Sequence, residues 1–164
     1  MFMTEATLTD LRKIPFQTAK GASSSLSDFG DKVFLIVNLA SKCGLTPQYE
    51  QLEQLQKTYG EQGFTVLGFP SNQFLQEPGS TEEILDYCAM TWGVTFPVMD
   101  KVKLNGGKAA PLYKALKEAT GEGRVTWNFE KFVVTPDGNV HRFSPKTLPD
   151  DPAIVQVIEA NLPR

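Results

Sequence analysis

Two cysteines and one histidine are the side chains of this 164-residue chain best suited to nucleophilic, redox or metal chemistry. Cys43 lies in Ala40-Ser-Lys-Cys-Gly-Leu-Thr-Pro, between a continuous apolar run and a Thr46-Pro47 pair that reads as a helix start. A sulfur placed there lies near N–H groups that lack helical partners, and their partial positive charge favours a thiolate. An ordinary thiol is only about 3% ionised at neutral pH, and thiols at helix starts ionise far more readily. Lys42 adds a positive charge in sequence, and Gly44 removes a side chain that could crowd a substrate. Such a sulfur can attack an external electrophile, or it can pack at a strand end as a small hydrophobe; local context leaves both open. Thr46 occupies the fourth position of what would be Cys-x-x-Cys, so a local dithiol is excluded. Cys88 shares a helical stripe with Ile84, Leu85, Ala89 and Trp92, which suits an inert buried thiol as well as a redox partner. His141, beside Arg142, reads as a surface residue. Two cysteines and one histidine do not make a four-ligand structural zinc site, and neither a metal nor another cofactor is expected.

The elements that must position Cys43 follow from hydrophobic patterning. Lys32-Val-Phe-Leu-Ile-Val-Asn-Leu-Ala is apolar without alternation, the pattern of a central strand buried on both faces. The helix after Pro47 aligns Tyr49, Leu52, Leu55 and Tyr59 on one face and fades near Gly60 and Gly63. Phe64-Thr-Val-Leu-Gly-Phe-Pro is a second buried strand, which completes a βαβ unit. A loop over 71–80 leads to a helix over 81–92, opened by Ser80 with acidic residues in its first turn. Phe96-Pro-Val-Met reads as a short third strand, and 111–119 as a helix with Leu112, Tyr113 and Leu116 inward. Lys131-Phe-Val-Val-Thr and Val140-His-Arg-Phe flank the turn Pro136-Asp-Gly-Asn, a hairpin signature. Ile14-Pro-Phe-Gln-Thr with Gly21 reads as an N-terminal β-hairpin, and the segment from Asp151 as a closing helix. The reading is a single α/β domain over 1–164, of thioredoxin-like fold if the βαβ unit and the late hairpin share one mixed sheet flanked by helices.

Composition excludes several function classes. A net charge of −3 and a pI near 5.2 argue against a nucleic-acid partner, which calls for a basic stripe. The longest apolar run, Val33 to Val37, is far short of the roughly 20 residues that span a bilayer, so no membrane partner is expected. The first residues lack a charged region followed by an apolar one, so no signal peptide is read and the default compartment is cytoplasmic. Cytosolic thiols keep a cysteine pair reduced, which disfavours a structural disulfide.

Three segments together resemble the glutathione peroxidase family. Val37-Asn-Leu-Ala-Ser-Lys-Cys-Gly-Leu-Thr-Pro-Gln-Tyr is similar to its peroxidatic motif. Leu67-Gly-Phe-Pro-Ser-Asn-Gln-Phe with Gln76-Glu-Pro-Gly is similar to its second signature, and Trp127-Asn-Phe-Glu-Lys-Phe to its third. The resemblance runs from about Ile14 to the C-terminus. Peroxiredoxins would carry Thr or Ser where Ala40 stands, which counts against that family.

The resemblance implies a thiol peroxidase acting on hydrogen peroxide and organic hydroperoxides. It carries the catalytic tetrad onto Cys43, Gln73, Trp127 and Asn128, three neutral donors around a thiolate. Alone, Gln73 would pass for a solvated loop residue, and Trp127-Asn128 for a core aromatic beside a turn. Cys88 matches the resolving cysteine of thioredoxin-dependent members. That implies a Cys43 sulfenic acid, a Cys43–Cys88 disulfide and reduction by thioredoxin, with local unwinding of the 81–92 helix. Ser71 stands where relatives often have cysteine, so any role of that thiol is absent. The stretch from Leu112 to Trp127 is shorter than in tetrameric relatives, which implies a monomer or weak dimer with an open site. Competing readings are a glutathione-fed peroxidase, a peroxide sensor relaying oxidation to a partner protein, and a non-catalytic binding module.

Overall fold

A computed structural model describes residues 11–121 and 123–163. The first residues, read above as lacking a signal-peptide pattern, lie outside them. A short antiparallel hairpin, β1 (Phe16–Gln17) with β2 (Ser23–Ser24), opens the described chain as expected. β3 (Val33–Leu39) and β4 (Phe64–Pro70) run parallel, joined by α1 (Tyr49–Tyr59). β5 (Lys131–Val134) pairs antiparallel with the other edge of β3, and β6 (Val140–Phe143) pairs with β5. The sheet order is therefore β4-β3-β5-β6, a mixed sheet. α2 (Thr81–Trp92), α3 (Pro111–Thr120) and α4 (Pro152–Asn161) complete the architecture.

The unbroken apolar run of β3 is explained by helices on both faces of the sheet. Val33, Leu35, Val37 and Leu39 face one core with Leu52 and Leu55 of α1, Ile84 of α2, and Ile154 and Ile158 of α4. Phe34 and Ile36 face the other, with Leu112, Tyr113 and Leu116 of α3. Side chains alternate across a strand, so burial of every β3 residue requires two apolar layers. Each fully buried aliphatic or aromatic side chain contributes about 1.5–3 kcal/mol, which makes β3 the organising strand.

Two local expectations are corrected. Phe96–Met99 forms isolated bridges rather than a strand, Gly68 with Val98 and Thr18 with Met99. Pro97 accepts from Gly68 N–H at 3.0 Å but has no N–H to return, so the ladder cannot extend. Thr46 is not the N-cap of α1, which begins at Tyr49 after a 3-10 turn over Thr46–Gln48. Ser80, in contrast, caps α2 in a reciprocal capping box with Glu83. Among the described residues no helix is long and apolar enough to cross a membrane.

Gly68 marks the tightest approach in the sheet. A Cβ there would overlap Leu39 Cδ1 and lie 3.2 Å from Phe96 Cε1. Gly68→Ala is expected to destabilise the protein by about 1–3 kcal/mol through overpacking, read as a lower urea midpoint. An unchanged midpoint would contradict this account of the β3–β4 interface.

Candidate active site

The sheet topology decides which loops meet. β3 and β4 end side by side, Leu39 opposite Pro70, while antiparallel β5 begins beside Val37. Three loops, 40–45, 71–80 and 123–130, therefore leave the sheet at one end. The first carries Cys43, the second Gln73, the third Trp127 and Asn128.

Hydrogen bonds stitch the three loops together. Asn38 Nδ2 donates to Trp127 O at 3.0 Å, and Phe129 N–H donates to Asn38 O at 2.8 Å. Gln76 joins all three: its carbonyl accepts from Lys42 N–H at 3.1 Å and its Oε1 accepts from Asn128 Nδ2 at 2.8 Å. The rings of Phe74 and Trp127 lie 5.2 Å apart. Gln76 was quoted within a motif above but given no role; its three-loop position emerges only from the fold.

Cys43 is a free, half-buried thiol packed at the edge of the larger core. Among the described residues, the hydrogen bond reaching its Sγ comes from Leu45 N–H at 3.3 Å. The cause is local. Thr46 N–H and Gln48 N–H are taken by Cys43 O and Leu45 O, and Pro47 has no N–H, so Leu45 supplies the donor left facing the sulfur. Thr46 Oγ1 accepts from Cys43 N–H at 3.1 Å and donates to Ala40 O at 3.1 Å. Thr46, three residues after the cysteine, thus fixes the loop rather than supplying a second thiol. The backbone thus presents one N–H donor to the sulfur.

The three amide and indole donors occupy the same end of the sheet without bonding the sulfur in this state. Gln73 Oε1 accepts from Leu104 N–H and Asn105 N–H at 2.6 and 2.8 Å, and its Nε2 donates to Asn105 O at 3.1 Å. One Nε2 hydrogen remains uncommitted by those bonds. Ser71, fully buried, accepts from Gln73 N–H at 3.3 Å and so orders the start of this loop. Asn128 is fully buried, and its Oδ1 has no partner among the described residues. Trp127 is 38% exposed, and beside Phe74 the apolar Leu75 is 82% exposed at a φ of 61°, a strained backbone for a branched side chain. A cavity of about 460 Å³, lined by Asn72, Gln73, Lys101, Val102 and Lys103, adjoins the Gln73 loop.

Charged residues behind the loops hold their shape. Glu77 is buried, takes the Ser41 hydroxyl on its carboxylate and receives Lys101 Nζ on its carbonyl at 2.8 Å. Burial pushes its carboxyl above the usual range, opposed by the Ser41 hydrogen bonds and the charge of Lys101. Glu130 pairs with Arg142 at 2.5 Å and accepts from Thr126 N–H and Oγ1. Arg142 also donates to Gly123 O and Arg124 O, so one ion pair fixes the entry to the Trp127-Asn128 loop. Lys131, fully buried, donates to Pro145 O at 2.9 Å, which also accepts from Gln48 Nε2 at 2.8 Å. His141 is partly exposed on β6, the edge strand of the sheet, opposite Val133.

Cys88 occupies a different environment. It is 2% exposed on the inner face of α2, and its thiol donates to Tyr49 Oη at 3.5 Å. Burial pushes this thiol up to about 11, with the Tyr49 bond opposing and the charge of Glu77 reinforcing the shift. It is a neutral thiol at physiological pH. The two cysteines pack against the same core and are both free.

Comparison with known proteins gives a consistent result. The glutathione peroxidase family profile matches residues 11–117. The chain is 48% identical over 167 residues to the thioredoxin/glutathione peroxidase BtuE of Escherichia coli (strain K12), covering 87% of this chain and 91% of that one. The crystal structure of Trgpx in apo form superposes with a TM-score of 0.71 at 38% identity, covering 93% and 98% of the two chains. A thioredoxin-family thiol:disulfide interchange protein from Chlorobium tepidum TLS shares the fold, with a TM-score of 0.65 at 23% identity over 88% and 92%.

The buried Lys131 gives this site a pH signature. Burial lowers its ammonium to about 7, partly opposed by Glu130, while the unfolded chain keeps the proton to about 10.5. Between those values the unfolded state binds more protons, so the stability contributed by this residue rises with pH. The penalty is complete below about 7 and fades toward about 10.5. Lys131→Met removes it. Denaturation of both proteins from about pH 6 to about pH 9 should show the wild type gaining relative to the variant; a pH-independent difference would contradict the assignment.

Proposed function

The chain belongs to the glutathione peroxidase family and is a peroxidase, and on that premise we propose that Cys43 attacks the peroxide, Cys88 resolves the product and thioredoxin returns the electrons. The observation that carries this reading is the contrast between the two thiols. Cys43 is half-buried with an N–H aimed at its sulfur, at the sheet end shared by Gln73, Trp127 and Asn128. Cys88 is sealed and neutral.

In the first step the Cys43 thiolate attacks the terminal peroxide oxygen. An S–O bond forms, the O–O bond breaks, and the departing alkoxide or hydroxide takes a proton from solvent. Gln73 Nε2, Trp127 Nε1 and Asn128 Nδ2 are proposed to orient the peroxide and stabilise the leaving oxygen as charge develops. In the second step the Cys88 thiol condenses with the sulfenic acid. The S–S bond forms and the hydroxyl leaves as water with the thiol proton. Thioredoxin then reduces the disulfide by exchange, and its own dithiol is oxidised. The apolar rim of Phe74, Leu75 and Trp127 supports acceptance of organic hydroperoxides beside hydrogen peroxide.

Retention of Cys88 and the short 112–127 stretch favour thioredoxin over glutathione as donor. The short 112–127 stretch also supports a monomer or weak dimer. Cys88→Ser is expected to consume one equivalent of hydroperoxide at the wild-type rate and then to stall with the thioredoxin system. Undiminished steady-state turnover would remove the resolving role of Cys88. In the wild type, peroxide consumption should be faster with thioredoxin and its reductase than with glutathione and its reductase; the reverse order would overturn the choice of donor.

A further inference from the structure

Three side chains of α2 converge on one residue of α1. The Cys88 thiol bonds Tyr49 Oη, the Trp92 ring stacks on the Tyr49 ring at 5.9 Å and 16°, and Tyr87 meets it edge-on at 6.3 Å. Trp92 Nε1 also donates to Tyr87 Oη at 3.0 Å, closing the group on itself. Phe129, next to Asn128, also meets Tyr49 edge-on at 5.5 Å. Tyr49 is fully buried, and burial followed by the Cys88 neighbour pushes its phenol far above the usual range.

Elsewhere α2 is weakly attached. Of its twelve residues only Ile84 and Cys88 are buried, and Met90 projects into solvent. Its two ends, however, are pinned. Thr81 Oγ1 bonds Asp100 at 2.5 Å beside the Ser80 capping box. Past the left-handed Gly93 cap, Glu53 takes Thr95 N–H and Thr95 Oγ1 at 2.7 and 2.5 Å. Ile84 fastens the first half of the helix to the core, so the half that carries Cys88, between that anchor and the Gly93 cap, is the part that opens locally when Tyr49 lets go.

We propose that Tyr49 is the latch of α2: its hydroxyl and ring hold Cys88 closed and set how often the resolving thiol becomes available. Tyr49 is a positioning residue, acting through Cys88, and its role in turnover rests on the resolving role proposed above. While the latch is closed, Cys88 stays neutral and shielded from peroxide. When it opens, the thiol reaches the Cys43 sulfenic acid and condenses with it, releasing water.

The test separates local opening from general loosening. In a Cys43→Ser background, Cys88 alkylation by N-ethylmaleimide is followed by mass spectrometry for the parent, Tyr49→Phe, Trp92→Leu and Gly68→Ala. Tyr49→Phe keeps both ring contacts and removes the hydroxyl, so it should alkylate on the order of tenfold faster, as expected for loss of one hydrogen bond from the closed state. Trp92→Leu should also accelerate alkylation, while Gly68→Ala, which weakens the sheet and leaves the latch intact, should not. Equal acceleration by Gly68→Ala, or no acceleration by Tyr49→Phe, would overturn the latch. With Cys43 restored and one equivalent of peroxide, Tyr49→Phe should form the Cys43–Cys88 disulfide faster by a similar factor. A parent protein that forms no such disulfide would overturn the resolving role of Cys88 and leave the latch supported by alkylation.

Discussion

The pairing of β3, parallel to β4 and antiparallel to β5, is the constraint from which the site follows. Parallel strands end together, and an antiparallel neighbour begins where they end, so loops far apart in sequence leave the sheet at one edge. β3 can hold that central place only because every one of its seven residues is buried between two apolar layers. Asn38, the one polar side chain in the strand, sits near its end and uses its amide to grip Trp127 O. Leaving that buried amide unpaired would cost about 1–3 kcal/mol, so strand and loop are ordered together.

The two cysteines are kept chemically unlike by their surroundings. Cys43 meets solvent and an N–H donor at the turn before α1. Cys88 is desolvated on α2 against a phenol that is itself desolvated. In the cycle proposed above, burial sets the order of events, because a neutral, shielded thiol does not compete for peroxide with an accessible one. Tyr49 connects the two environments: it begins the helix that follows the Cys43 turn and ends in contact with Cys88.

Much of this was legible in the sequence where one signal dominated locally. The unbroken apolar run predicted the central strand, the Ser80-Thr-Glu-Glu start predicted α2 over 81–92, and the Pro136-Asp-Gly-Asn turn predicted the β5–β6 hairpin. The resemblance placed Cys43, Gln73, Trp127 and Asn128 in one site, and the topology brings their loops to one edge. What was not legible depends on distant partners. Phe96–Met99 has strand composition, but Pro97 limits it to bridges. Thr46 has the composition of a cap, yet its hydroxyl serves Cys43 N–H and Ala40 O instead. Glu53, Glu77 and Lys131 look like surface charges in sequence, and each is buried because a specific backbone or hydroxyl group elsewhere receives it.

The central claim is that one sulfur, at position 43, meets the peroxide. Dimedone present during exposure to one equivalent of hydroperoxide traps a sulfenic acid as a stable thioether, and peptide mapping then locates it. The account predicts adduct on the peptide carrying Cys43 and none on the peptide carrying Cys88. Adduct confined to Cys88, or hydroperoxide consumed with no oxidised sulfur at position 43, would contradict it.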